Sequence, residues 1–155
     1  MDEACRELGA DVHVCAADVA EEAVAEIGSL DLLVLDGAGL FALGGLRACL
    51  ETTWNVTRAV VNNAFLPVDE PSPPTRRIVY VAPAPDAGEQ ADAARAGLEN
   101  LSRTLSIEWA RHQITPVTIA PGESTSAGEV AALTAYLASP AGAYFSGCLL
   151  DLRGP

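Results

Sequence analysis

Residues 32–42 read Leu-Leu-Val-Leu-Asp-Gly-Ala-Gly-Leu-Phe-Ala, an apolar run followed at once by glycines. Four successive apolar residues, 32–35, are typical of a strand that is covered on both faces of a parallel sheet. The glycine-rich residues 37–45 predict a tight turn after that strand, and residues 46–65 predict one long helix. A buried strand, a turn and a helix form the repeating unit of α/β proteins.

The same alternation continues on both sides of this stretch. Helices are predicted at 2–8, 19–27, 46–65, 89–111 and 128–138, and strands at 12–16, 32–35, 78–82, 116–120 and 148–152. No break in composition divides the chain, so we expect a single domain over residues 1–155. The predicted fold class is α/β, a parallel sheet of about five strands with helices on both faces.

The first two predicted strands are joined by a short connection. Residues 19–27 and their flanking turns are long enough for a right-handed crossover between adjacent parallel strands. We therefore expect 12–16 to pair directly with 32–35, so that the strands follow one another across the sheet in chain order. Residues 12–16 would then form an outer edge with unpaired backbone groups.

Composition excludes several classes of function. The 155 residues include 21 acidic and nine basic side chains, for a net charge of −12. Nucleic acids and anionic membranes require basic patches, so neither is expected as a partner. All nine basic residues are arginines. Without lysine, the chain has neither the lysine of a Walker-type phosphate loop nor a Schiff-base nucleophile.

The cysteines and the apolar runs point to a reduced, intracellular environment. Cys5, Cys15, Cys49 and Cys148 are scattered, with no Cys-x-x-Cys pair and no histidine at zinc-ligand spacing, so no metal site is expected. No apolar run reaches the ~18–20 residues that cross a bilayer. The acidic start lacks the basic and apolar regions of a signal peptide. We therefore expect a cytoplasmic protein.

The segment Gly37 to Ala42 fits the pattern G-x-G-x-x-A directly after a strand. In dinucleotide sites these glycines let the backbone approach a pyrophosphate at a helix N-terminus. Here Gly44 and Gly45 delay the predicted helix, and no acid follows a strand about 20 residues further on to hold a ribose. The segment therefore favours a tight turn over a phosphate site.

Nine segments in chain order carry a resemblance to a known family. They are Glu7–Val12, Ala17–Val19, Asp36–Gly39, Trp54–Val60, Arg77–Val81, Ala94–Ala110, Ile119–Gly122, Leu137–Pro140 and Phe145–Gly147. Through them the chain resembles the short-chain dehydrogenase/reductases, especially the ketoacyl-carrier-protein-reductase type. The resemblance implies a shortened Rossmann-like sheet that lacks the first two strands of the family and the glycine-rich phosphate turn between them.

The shortening bears on the cofactor. Asp18 resembles the aspartate that the family places beside the adenine. Asp18, Gly37, Gly39, Pro121 and Gly122 are therefore implied to be vestigial cofactor positions. Because the phosphate turn is not part of the resemblance, we expect no cofactor.

The catalytic positions have also changed. The family uses an asparagine, a serine, a tyrosine and a lysine, and the resemblance places Cys49, Pro83, Ala91 and Arg95 at these four positions. Alanine neither donates nor accepts a proton, and proline offers no hydroxyl or N–H group. The resemblance therefore implies four degenerate positions, no catalytic residue and no active dehydrogenase.

Arg95 has a second interpretation. The segment Ala94 to Gly97 is similar to the helix of the halohydrin dehalogenases, which use a Ser-Tyr-Arg set and no nicotinamide. The serine and the tyrosine are missing here, so we favour an exposed or interface arginine. Such an arginine would pair with Asp92 or Glu99 at helical spacing.

Three functions follow as hypotheses. The first is a catalytically inactive homologue that acts as a structural or regulatory subunit of a reductase or biosynthetic complex, as a homo-oligomer or with a full-length reductase. Its contact surfaces would be the helices 46–65 and 89–111, the last strand, or the edge strand 12–16. The second is an enzyme with rebuilt, cofactor-independent chemistry around Arg95, Cys49 or Glu123. The third is a small-molecule binder that uses part of an adenine pocket around Asp18.

Overall fold

A computed structural model describes residues 1–66 and 75–153. One sheet contains four parallel strands in chain order, β1 (Leu32–Asp36), β2 (Arg76–Val81), β3 (Ile114–Ala120) and β4 (Leu149–Asp151). The α-helices are α1 (Asp2–Glu7), α2 (Ala20–Ile27), α3 (Gly37–Val60), α4 (Ala91–Glu108) and α5 (Ala127–Ala138). The predicted α/β class, with a Rossmann-like parallel sheet, is confirmed.

The strands alternate their side chains between two apolar layers. On one face, Ile78 and Tyr80 are buried together with Leu98 of α4 and residues of α2 and α3. On the other face, Val79 and Ile119 are buried against apolar residues of α5. Burying one such side chain contributes about 1.5–3 kcal/mol, so the two layers together hold the sheet between its helices.

Residues 12–16 do not form the predicted fifth strand, so the predicted pairing with 32–35 is wrong. The segment has no regular secondary structure, and Val14 is 75 % exposed. Its contact with the rest of the chain includes a hydrogen bond from Arg6 to the Val12 carbonyl (2.6 Å). A strand of five residues is stable only when its side chains are buried, and His13 and Cys15 remain in solvent. β1 is therefore an edge of the sheet.

Residues 37–43 of the glycine-rich stretch are helical, so the tight turn predicted directly after β1 is also wrong. α3 begins at Gly37, immediately after β1, and changes direction at Gly44 and Gly45. Gly45 has φ 69° and ψ −162°, a conformation that is open essentially to glycine alone. The helix predicted from residue 46 is the part of α3 that follows this kink. It is extended by a π-helical turn, Val61–Phe65.

No helix over residues 1–66 and 75–153 has both the length and the apolar character that spanning a membrane requires.

Candidate functional site

The carboxyl ends of the strands bring together several of the predicted site positions. In open α/β sheets, ligands bind outside this edge of the sheet. An open cavity of about 350 Å³ lies here. Its lining is mainly apolar and includes Ala38, Val81, Pro121 and Val130, with Thr125 as a polar member.

Arg95 connects the ends of two strands. Its side chain projects from the first turns of α4 and is buried, with 8 % of the residue exposed. Nη1 donates hydrogen bonds to the carbonyl oxygens of Pro83 (2.7 Å) and Pro121 (2.6 Å). Pro83 follows β2 and Pro121 follows β3 directly. A hydrogen bond from a charged donor stabilises a fold by about 1.5–3 kcal/mol, so these two contacts stabilise the position of the β2 and β3 ends relative to each other.

The prediction of an exposed or interface Arg95 paired with Asp92 or Glu99 is wrong, since the side chain is buried within the chain and bonded to backbone carbonyls. Glu99 instead pairs with Arg103 (2.7 Å) on the outer surface of α4. Arg95 lies on the same face of α4 as the buried residues Ala91 and Leu98. Their spacing of three and four residues is the periodicity of a buried helix face, and this signal in the sequence could have revealed the position of Arg95.

A second charged group lies at the end of β4. The Nε atom of Arg153 donates to both carboxylate oxygens of Asp151 (3.0 and 2.7 Å). Hydrogen bonds from the Arg153 side chain and backbone lower the pKa of Asp151 to about 2. The hydrogen bond to the Asp151 carboxylate in turn raises the pKa of Arg153. The sequence interpretation did not include this pair. The sequence does contain a signal for this pair, because Asp151 lies at the end of a predicted strand and Arg153 follows it two residues later.

Arg95 and the Asp151–Arg153 pair influence each other electrostatically. Burial lowers the pKa of Arg95, and the positive charge of Arg153 lowers it further. The carboxylates of Asp151 and Asp92 act in the opposite direction. This edge of the sheet therefore holds two guanidinium groups that repel each other and two carboxylates that oppose this repulsion.

Cys49 is fully buried beneath the start of α3. Its Sγ donates a hydrogen bond to the Gly37 carbonyl (3.3 Å). Burial raises the pKa of Cys49 to about 11, and the charge of Asp36 adds to the shift. At neutral pH the group is a thiol, and the thiolate is the nucleophilic form. Glu123, another predicted candidate, is exposed and makes no hydrogen bond with Arg95 or Cys49.

The two glycines at the start of α3 have different neighbours. A Cβ atom on Gly37 would lie 2.8 Å from the Val81 carbonyl oxygen, so this glycine allows α3 to pack against β2. The Gly39 N–H donates to the Asp36 carboxylate (3.0 Å). The N-terminus of α3 is thus capped by an acid of its own chain. An anion that approached this end would meet a negative charge, which opposes the attraction of the helix dipole.

The other predicted positions are distributed unevenly. Ala91 is buried at the first turn of α4. The Gly122 N–H donates to the Thr125 hydroxyl (2.8 Å), and that hydroxyl donates to the Leu152 carbonyl (3.0 Å), so Gly122 is part of the same edge. Asp18 lies exposed in a 3₁₀ turn, Ala17–Val19, before α2. Among the described residues, no hydrogen bond or ion pair joins Asp18 to this edge.

In the part of the chain that the structure describes, no three His, Cys, Asp or Glu side chains are placed to hold a metal ion together. The four cysteines are unpaired.

This geometry defines a Rossmann-like α/β protein whose candidate site lies at the carboxyl edge of a parallel sheet. Its fold is that of the short-chain dehydrogenase/reductases in a shortened form. No protein-family model matches the chain, and no curated protein matches it.

Solved structures show where this similarity lies. A citronellol catabolism dehydrogenase, AtuB of Pseudomonas aeruginosa, superposes with a TM-score of 0.69 at 23 % identity. The superposition covers 95 % of this chain and 74 % of the AtuB chain. BdcA of Escherichia coli has a TM-score of 0.67 at 20 % identity, with 95 % and 75 % covered. RhlG of P. aeruginosa, solved with NADP, has a TM-score of 0.65 at 22 % identity, with 90 % and 71 % covered. At these identities the likeness concerns the fold.

Proposed function

We propose that this protein is a catalytically inactive relative of the short-chain dehydrogenase/reductases that acts in the cytoplasm as a structural or regulatory subunit of a reductase or biosynthetic complex. The observation that carries the proposal is the position of Arg95. At the place where the resemblance puts a catalytic lysine, one guanidinium nitrogen is bonded to two backbone carbonyls. A side chain held in this way supports the sheet.

The neighbouring positions support the same proposal. Ala91, at the position of the proton-donating tyrosine, has no group that exchanges protons and is buried. Pro83, at the position of the serine, contributes only its carbonyl to Arg95. Cys49, at the position of the asparagine, is enclosed and protonated at neutral pH. No group at these four positions can relay a proton near neutral pH.

The surfaces proposed for assembly are the outer sides of α3 and α4, which pack against each other. Each of these helices has large apolar residues that are exposed, Leu43 and Trp54 of α3 and Ile107 of α4. Exposed apolar groups on adjacent helices favour contact with a second helical surface. The surface can serve a homo-oligomer or a complex with a full-length reductase.

The proposal is tested by adding cofactor and substrate to the purified chain. Calorimetry with NADH and NADPH should detect no binding, and a panel of ketones should not be reduced. The double variant Ala91→Tyr with Arg95→Lys is the matched control, because it restores two catalytic groups while Pro83 and Cys49 still replace the serine and the asparagine, and it should remain inactive. Hydride transfer by the unmodified chain would refute the proposed function.

A second candidate function, small-molecule binding, is favoured by the cavity at the carboxyl edge. Its volume of about 350 Å³ falls within the usual range for ligand sites, ≈ 300–1,000 Å³. The apolar lining fits a small apolar molecule whose one polar group would meet Thr125. Rebuilt chemistry at Arg95, as in the dehalogenases, is the remaining alternative. Halide release from small halohydrins, measured beside the ketone assay, separates it from the first two.

A further inference from the structure

The outer edge of β1 has unpaired backbone groups. β1 pairs in parallel with β2, with Leu32 opposite Arg77 and Val34 opposite Val79, and the Arg77 N–H donates to the Asp31 carbonyl (3.0 Å). In such a ladder, alternate residues point their N–H and C=O groups to the same neighbouring strand. The backbone groups of Leu32 and Val34 therefore point away from β2. Among the described residues, no hydrogen bond reaches them.

The composition of β1 is that of an interior strand. Leu32 and Val34 pack against the apolar layer beneath α5, and Leu33 and Leu35 pack into the opposite layer. An edge strand is usually protected by a proline, a charged residue within the strand or a bulge. Residues 32–35 contain none of these, and the one charged residue of β1, Asp36 at its last position, caps α3. Residues 12–16 do not cover the edge with a paired strand. This edge is therefore suited to strand addition.

The charge beside this edge indicates which strand would fit. Asp31 precedes β1, and its side chain is 81 % exposed. Its Oδ1 accepts a hydrogen bond from Nη1 of Arg76, the residue opposite it on β2 (2.7 Å). Within residues 1–66 and 75–153, the other oxygen, Oδ2, has no partner. If a strand is added on the outer side of β1, one of its residues lies opposite Asp31 and can contact Oδ2.

We propose that the outer edge of β1 binds an extended apolar segment of a partner polypeptide that carries arginine or lysine opposite Asp31. The proposal rests on the proposed subunit function and states the chemistry of the partner. Main-chain hydrogen bonds to Leu32 and Val34 hold the segment, and the ion pair with Asp31 sets its register.

A second copy of this chain is a poorer occupant of the same edge. Two β1 strands related by a two-fold axis run antiparallel, which places Asp31 of each copy near the acidic end of the other strand at Asp36. Like charges opposite each other destabilise a strand pair, and each chain carries a net charge of −12. Charge complementarity therefore favours a partner segment with a basic residue.

The test uses a peptide with the sequence of residues 76–82, Arg-Arg-Ile-Val-Tyr-Val-Ala, because β2 is a strand that β1 already accepts on its other side. Hydrogen exchange is followed by NMR on the unmodified protein. In the free protein the Val34 amide should exchange faster than the Leu33 amide, which is bonded to β2. The peptide should slow exchange at Val34 and leave Leu33 unchanged.

Two controls make the result specific. A peptide that begins with Glu-Glu in place of Arg-Arg should bind about fivefold more weakly, since it replaces attraction to Asp31 by repulsion. The variant Val34→Pro removes the outward N–H without removing a bond to β2, and it should lose peptide binding. Its matched control is Val14→Pro in the exposed segment 12–16, which should bind normally. Circular dichroism checks that both variants fold.

Several outcomes would overturn the inference. They are equal protection of Val34 and Leu33 in the free protein, equal binding of the two peptides, and absence of binding at millimolar peptide. If Val34→Pro fails to fold, the exchange data on the unmodified chain still decide. The two proposals can fail separately. If the peptide does not bind at β1, strand addition is refuted, and the expected absence of hydride transfer is unaffected. If the chain transfers hydride, the subunit function is refuted, and the exchange rate at Val34 is unaffected.

Discussion

Arg95 donates from a single nitrogen to carbonyls at the ends of β2 and β3, and these two bonds determine its role at the scale of one residue. A lysine has one compact ammonium group, whereas a guanidinium has five N–H donors spread over a planar fork. Arginine can therefore bind fixed backbone oxygens and retain donors for other groups. This difference makes Arg95 suited to tie two strands together.

Replacing Arg95 by methionine should destabilise the protein by about 2–4 kcal/mol, because two buried carbonyls lose a charged donor. Urea unfolding measures the change. Arg103→Met is the matched control on the same helix, since the Arg103 side chain is exposed and pairs with Glu99 at the surface, and it should change stability by less than about 1 kcal/mol. Equal effects of the two substitutions would contradict the structural role of Arg95.

Asp151 predicts a pH dependence at the same scale. Its pKa is lowered to about 2 in the folded protein by hydrogen bonds from Arg153, below the ordinary value near 4. A lowered pKa means that the stabilising contribution is present above about pH 4 and is lost as the pH falls toward about 2. The urea midpoint should therefore fall over this range. Asp151→Asn should reduce the loss, and Asp18→Asn, at an exposed aspartate, should leave it unchanged.

At the scale of the element, α3 shows how a local conformation shapes a helix. Asp36 caps its first turn, and the kink at Gly44 and Gly45 separates that turn from the long helix that packs on α4. The sequence correctly indicated the glycines as an interruption and placed the long helix after them. It missed the first helical turn, because the Asp36 cap stabilises a short helix that its glycines disfavour.

The kink can be tested by a matched pair of glycine substitutions. Gly45→Ala should destabilise the protein by about 1–3 kcal/mol, because a φ of 69° with ψ −162° is strained for any residue other than glycine. No atom lies within 4 Å of a Cβ added at this position, so the cost reports backbone strain and not a steric clash. Gly128→Ala lies in the first turn of α5 and should instead stabilise the protein by up to about 1 kcal/mol. Thermal unfolding of both variants measures the two signs. A neutral Gly45→Ala would refute the strained kink.

At the scale of the whole molecule, a net charge of −12 and exposed apolar residues on α3 and α4 act in opposite directions. Charge repulsion opposes self-association, and apolar contact favours it. An assembly must therefore bury the apolar helix surface or recruit a partner with basic groups. Both possibilities follow from the same surface.

We expect the purified chain to sediment as a species heavier than its 16.0 kDa monomer at micromolar concentration. Ile107→Asp places a charge on the exposed apolar surface of α4 and should restore the monomer. Tyr144→Asp, at an even more exposed position outside α3 and α4, is the control and should have no effect. A clean monomer for the unmodified protein would contradict assembly through these helices.

The sequence by itself determined the alternation of helices and strands, the parallel α/β class and the resemblance to a dehydrogenase fold. The first two features follow from apolar periodicity and from glycine and proline at element ends, which act over a few residues, and the resemblance rests on short segments matched in chain order. Only the tertiary structure decided that residues 12–16 leave the sheet, that β1 is an edge, and that Arg95 is buried between two carbonyls. Strand pairing and the environment of a buried charge depend on which distant segments meet, and that choice is made by the packing of the whole chain.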